Sequence, residues 1–191
     1  MVDAIIEGIK DRISVAIKVN QSVGIQVPEN RHTDLLESLF NFMFSNPDNV
    51  CTFVTASDTF DYISKSFSEI SEHRNIKFID CISRAAGISK LNSNCTYVES
   101  PTMLEIMGLE IMNTFKGIKD NVEKYVVIDS LSALMVYNDS EIIREFVSLL
   151  MNRTRSKNIH IVTILVEEEV DSNKLIQMND KIVVLRDSFI E

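Results

Sequence analysis

Lys124-Tyr125-Val126-Val127-Ile128-Asp129-Ser130-Leu131-Ser132-Ala133-Leu134 decides how the rest of the chain is read. An apolar run, Tyr125 to Ile128, leads straight into an acid and two serines. An uninterrupted apolar run suits a strand covered on both faces, as strands of parallel sheets are. Polar residues at the carboxyl end of such a strand fall where open α/β sheets place their ligands. In phosphate-binding folds an acid there positions Mg²⁺, which singles out Asp129. The plainer alternative is that Asp129-Ser130 ends a strand and caps the next segment.

Working outward, strand patterns alternate with helical ones. Ile5, Ile6, Ile9, Ile13 and Ile17 repeat at helical spacing, although Ile13, Val15, Ile17 and Val19 also alternate, which leaves a strand open for the second half. Strands are expected at 22–27, 50–55, 76–81, 96–98, 125–129, 159–165 and 181–185. Helices are expected near 35–43, 59–70, from Ser100-Pro101 onward with proline at its favoured first position, and over 141–157. Residues 83–94 form a polar connection. Strands alternating with helices of this length predict a mostly parallel sheet covered on both faces. No internal repeat or low-complexity stretch interrupts the pattern, so one domain over 1–191 is expected.

A phosphate site needs a second half. In a phosphate-binding loop, glycines let backbone N–H groups curl around the phosphates, a lysine reaches the outer ones, and Ser or Thr binds Mg²⁺. The turn after the first strand reads Val27-Pro28-Glu29-Asn30-Arg31-His32-Thr33-Asp34, with neither glycine nor lysine. Glu29 and Asp34 add negative charge, and Arg31, His32 and Thr33 offer partial compensation. An ordinary strand-to-helix turn with Thr33 as the helix cap explains the same residues.

Four stretches together resemble the RecA superfamily, specifically the KaiC-type ATPase domains of archaea and bacteria. Phe53-Val54-Thr55-Ala56-Ser57-Asp58 resembles the strand that ends in the KaiC catalytic glutamate pair. Phe78-Ile79-Asp80 resembles a phenylalanine-isoleucine-aspartate strand of these domains. Ser100-Pro101-Thr102-Met103-Leu104 resembles a helix start, and Val126 to Ser132 resembles the Walker B strand, whose aspartate positions Mg²⁺ through water. The resemblance implies a RecA-like, P-loop-type three-layer α/β/α sandwich with a mostly parallel central sheet. It places Pro28 to Thr33 at the Walker A position, with His32 near the lysine and Thr33 near the Mg²⁺-binding threonine. The Gly-Lys core is absent, and Ser57-Asp58 stands where the glutamate pair would be. Serine is no general base, and Asp58 is one methylene shorter than glutamate.

Composition bounds the rest. The chain has 191 residues, 45% hydrophobic and 25% charged, the values of a globular protein with a substantial core. A net charge of -9 argues against a sequence-independent nucleic-acid binder. The three cysteines Cys51, Cys81 and Cys95 form no CxxC pair, and no three of His, Cys, Asp and Glu have metal-ligand spacing. No apolar run reaches the ~20 residues that span a bilayer, and no signal peptide is visible, so a cytoplasmic protein away from membranes is expected. His160 reads as a core or edge residue, His73 as a solvated turn residue, and Glu167-Glu168-Glu169 as a solvated loop or a partner surface.

The leading expectation is a pseudo-ATPase: a non-catalytic KaiC-like domain that regulates or assembles through protein partners or self-association, with no cofactor. The alternative is an atypical ATP·Mg²⁺-binding domain using His32, Thr33 and Asp129. A receiver-like signalling domain ranks last, because Val27-Pro28-Glu29 does not supply the acidic pair it needs.

Overall fold

A computed structural model describes residues 2–166 and 172–186. The Glu167-Glu168-Glu169 stretch lies outside them. Seven strands, β1 (Ser22–Val27), β2 (Val50–Thr55), β3 (Ile76–Asp80), β4 (Cys95–Tyr97), β5 (Lys124–Asp129), β6 (His160–Val166) and β7 (Lys181–Val184), form one sheet in the order β4-β3-β2-β5-β6-β1-β7. Every neighbouring pair is parallel. The chain therefore returns to the start of the sheet after each strand, and helices cover both faces.

The period-2 alternation of side chains divides the core. Tyr125 and Val127 of β5 join the cluster under α1 (Val2–Val19), α2 (His32–Phe44) and α3 (Phe60–Ser66). Val126 and Ile128 join the cluster under α4 (Leu104–Thr114), α5 (Leu131–Tyr137), α6 (Ser140–Arg155) and α7 (Ser172–Ile176). Two apolar layers on one sheet explain why these strands read as unbroken apolar runs.

Several sequence expectations need correction. The first segment is helical throughout: Ile13 and Ile17 are buried while Val15 is 66% exposed, so the helical period wins over the alternating one. The helix expected from Ser100-Pro101 begins instead at Leu104, because the Met103 N–H first closes a turn onto the Ser100 carbonyl at 3.0 Å. The helix expected over 59–70 stops at Ser66 and continues as a separate 3-10 turn at Ser68–Glu72, with Thr59 as its N-cap. Helices α5 and α7, of seven and five residues, were not anticipated; segments that short carry little periodicity.

One glycine has a steric role. A Cβ on Gly24 would lie 2.5 Å from Ile176 Cγ1 and 2.7 Å from Asn179 Nδ2. Glycine in β1 thus admits α7 and the turn after it close against the sheet.

Candidate functional site

The carboxyl ends of β2, β3 and β5 stand side by side. Thr55 pairs with Asp80 on one side and with Asp129 on the other. All three are fully buried. They share the strand face of Phe53, Phe78 and Val127, so a row of polar groups closes the apolar layer beneath α2 and α3.

The three groups are satisfied differently. Asp80 accepts backbone N–H bonds from Phe60 (2.7 Å), Ile82 (2.9 Å) and Ser83 (2.8 Å), and the Ser83 hydroxyl at 2.7 Å. It ties the start of α3 to the turn after β3. Thr55 donates its hydroxyl to the Asp58 carbonyl. Asp129 Oδ1 lies 2.6 Å from His32 Nε2, and its Oδ2 is buried with no hydrogen-bond partner among the described residues.

His32 is the first residue of α2. Residues Glu29–Arg31 form a 3-10 turn that runs directly into the helix, so the connection is compact. Arg31 sits at the N-cap without a side-chain cap bond, and its guanidinium pairs with Asp34 at 2.8 Å. Thr33 is therefore not the cap. It lies exposed within the first turn and does not join His32 and Asp129. Of the three residues drawn from the sequence, two meet and the third does not.

The Ser57-Asp58 segment crosses the same site. The N–H groups of Ala56 and Ser57 donate to the Asp129 carbonyl at 2.6 and 3.3 Å, and the Ser57 and Ser130 hydroxyls are 3.2 Å apart. Ser130 also caps α5 by accepting the Ala133 N–H at 3.1 Å, so the capping reading of Asp129-Ser130 holds for the serine. The peptide joining Asp129 to Ser130 is cis.

Charge around His32 is predominantly negative. Burial works against a charged imidazole, but the hydrogen bond to Asp129 and the charges of Asp129, Asp58 and Glu29 outweigh it and raise the His32 pKa. Burial, then the Asp129 charge, raise the Asp58 pKa against the opposing pull of His32. The site favours the protonated form of His32 beside the buried Asp129 side chain, with Asp58 and Glu29 near it.

Other candidates resolve into structure. His160 Nδ1 lies 3.2 Å from the Asn20 carbonyl, and its ring stacks on Tyr125. His73 is not simply solvated: it is half-buried and stacks on Phe44 with centroids 4.0 Å apart. Cys51 and Cys81 are buried core residues, as the sequence suggested. Among the described residues no group of three His, Cys, Asp or Glu is arranged to hold a metal ion, and no helix is long and apolar enough to cross a membrane.

Sequence reasoning missed Asp80 as a structural anchor. Its alternation with Ile76 and Phe78, which places a carboxylate on a buried face, was the available signal.

No family model matches the sequence, and no curated protein matches it. Solved structures do match. A KaiC-like protein of the hyperthermophilic archaeon Pyrococcus horikoshii aligns over 90% of this chain and 74% of its own, with 13% identity and a TM-score of 0.60. The chain has a KaiC-like fold. An uncharacterised Pyrococcus horikoshii protein, solved with an unknown peptide, aligns over 90% of this chain and 80% of its own at 16% identity and a TM-score of 0.61. In this KaiC-like sheet β3, β2 and β5, whose sequences carry the resemblance, are consecutive neighbours.

Proposed function

We propose that the chain is a non-catalytic RecA/KaiC-like domain, a pseudo-ATPase acting as a regulatory or assembly module through protein contacts. The observation that carries this reading is the 2.6 Å pair between His32 and Asp129. His32 falls near the Walker A lysine and Asp129 matches the Walker B acid, so the two groups that would serve a nucleotide serve each other.

Nearby features agree. A cradle for phosphates needs backbone N–H groups fanned around an anion, which glycine permits. Here Glu29–Arg31 is wound into a 3-10 turn without glycine. Glu29, Asp58 and Asp129 surround a single imidazole, an environment that repels a triphosphate. These features support a reading in which the residues present do not suit ATP·Mg²⁺ and the Walker A position is degenerate. Ser57 is bonded within the site, and Asp58, one methylene shorter than glutamate, stands where the second glutamate of the pair would be. The similar Pyrococcus horikoshii structure that holds an unknown peptide accords with a module working through protein contacts.

A second reading, an atypical nucleotide binder using His32, Thr33 and Asp129, draws on the unpartnered Asp129 Oδ2. Thermal melting with Mg²⁺ and ATP separates the two. Ligand at about 100 times its Kd stabilises by roughly 2.7 kcal/mol. No shift at millimolar ATP is the expected result. A rise of several degrees that Asp129→Ala removes would overturn the pseudo-ATPase reading.

A further inference from the structure

Helices α4 and α6 each lead into a strand of a parallel sheet, so both run back along it in the same direction. Between them lies an open groove of about 360 Å³ whose walls include Leu104, Leu109, Ile142, Phe146 and Leu149. Leu149 is 60% exposed, Leu109 53% and Ile142 49%. Ile142, Phe146, Leu149 and Arg153 follow one another at helical spacing, so the exposed apolar residues form a stripe along α6 rather than scattered sites.

The charges on this stripe have an order. Glu145 precedes Leu149 by one turn and Arg153 follows it by one turn. Both are exposed, both line the groove, and neither has an ion-pair partner among the described residues. Glu141 lies a further turn outward on the acidic side and is already engaged by Arg144.

We propose that this face binds a second copy of the same chain, through a two-fold axis at Leu149. A two-fold axis crossing α6 sets the helix antiparallel to its mate and pairs positions equally distant from the axis. Residues 145 and 153 are equidistant from 149. Glu145 of each copy therefore meets Arg153 of the other, twice per interface, while the two Leu149 side chains meet at the centre and enter the paired grooves. A surface with acid at one end and base at the other is complementary to itself only in this antiparallel arrangement. A two-fold interface closes at two copies. Dimerisation gives the proposed assembly module its partner and to that extent rests on that reading.

Sedimentation velocity of the full chain over a micromolar concentration series tests it. The wild type should move from monomer to dimer. Leu149→Asp should be monomeric, and at concentrations low enough for the wild type to be monomeric too its melting temperature should be unchanged, since the residue is exposed. Glu145→Arg or Arg153→Glu alone should each weaken the dimer about tenfold or more, because two attractive pairs become repulsive. The double variant should recover wild-type association. A monomer at every concentration, assemblies larger than a dimer, a dimer indifferent to Leu149→Asp, or a double variant as weak as the singles would overturn the proposal. Should Leu149→Asp not fold, the charge variants decide alone. The readouts are independent of nucleotide: ATP binding in the melting experiment removes the pseudo-ATPase reading and leaves the dimer, and a monomeric chain does the reverse.

Discussion

His32 Nε2 and Asp129 Oδ1 lie 2.6 Å apart although 97 positions separate them in the chain. The pair joins the start of α2 to the end of β5 across the carboxyl edge of the sheet. Asp129 is fully buried, and His32 is the hydrogen-bond partner of its side chain among the described residues. Breaking one side of a buried pair leaves an uncompensated charge, which costs far more than the pair contributes when intact.

His32→Ala should therefore destabilise the fold by about 3 kcal/mol. Adding Asp129→Asn to it should recover part of that loss, because the orphaned charge is gone. Urea denaturation of the two singles and the double at mildly acidic pH measures the coupling. Additive losses would show that the contact carries no energetic weight.

The same pair sets a pH dependence. The His32 pKa is raised above its ordinary value of 6.5 in the fold. Its contribution is fully present below 6.5 and fades as pH rises through the higher folded value. Asp58 acts in the same sense at lower pH: its raised pKa means that stability begins to decline as pH rises above its ordinary 3.8, below the window of His32. Denaturation between about pH 6 and about pH 9 should show falling stability in the wild type and a flatter profile in His32→Gln. An identical slope in both would assign the effect elsewhere.

Gly24→Ala should cost about 2 kcal/mol, the usual penalty for forcing a methyl group into a filled core. The added carbon would sit 2.5 Å from Ile176 Cγ1, and α7 must shift to admit it. The midpoint of chemical denaturation reports the loss. A neutral effect would mean that α7 is displaced without consequence.

Asp80→Ala should be more harmful still. It strands the buried Phe60 and Ser83 N–H groups and the Ser83 hydroxyl, together with the half-buried Ile82 N–H, for a loss of about 3 kcal/mol or more. Asp80→Asn keeps one acceptor oxygen and should lose less. Equal losses in denaturation would argue that the negative charge, rather than the bonding pattern, matters at this position.

Much of the fold was legible in order of elements. The runs at Val50–Thr55, Lys124–Asp129 and His160–Val166 announced strands buried on both faces, because a parallel sheet leaves few polar positions along its central strands. The helix boundaries at Leu104 and Ser66 were not legible, since each is set by a local turn whose bonds compete with helix initiation or extension. Helix α5 was hidden for a different reason: its Leu131 and Leu134 anchor against the sheet, and seven residues do not build a period.

At the site, the residue types in the sequence marked Asp129 and His32 as worth attention and recorded that Pro28 to Thr33 contains no glycine or lysine. They could not say that the two residues touch. Nor could they place Thr33 outside the pair, or show that Thr55, Asp80 and Asp129 form one row. Spacing along a chain governs contacts within a helix or between successive side chains of a strand. Contacts between β5 and α2 depend on strand order, and the order β2-β5-β6-β1 exists only once the sheet has assembled. Residue order alone carried the alternation of elements, the two apolar faces of each central strand and the absence of glycine and lysine from Pro28 to Thr33. Tertiary structure alone decided that His32 and Asp129 meet, because only packing α2 onto the sheet brings the imidazole to the buried carboxyl.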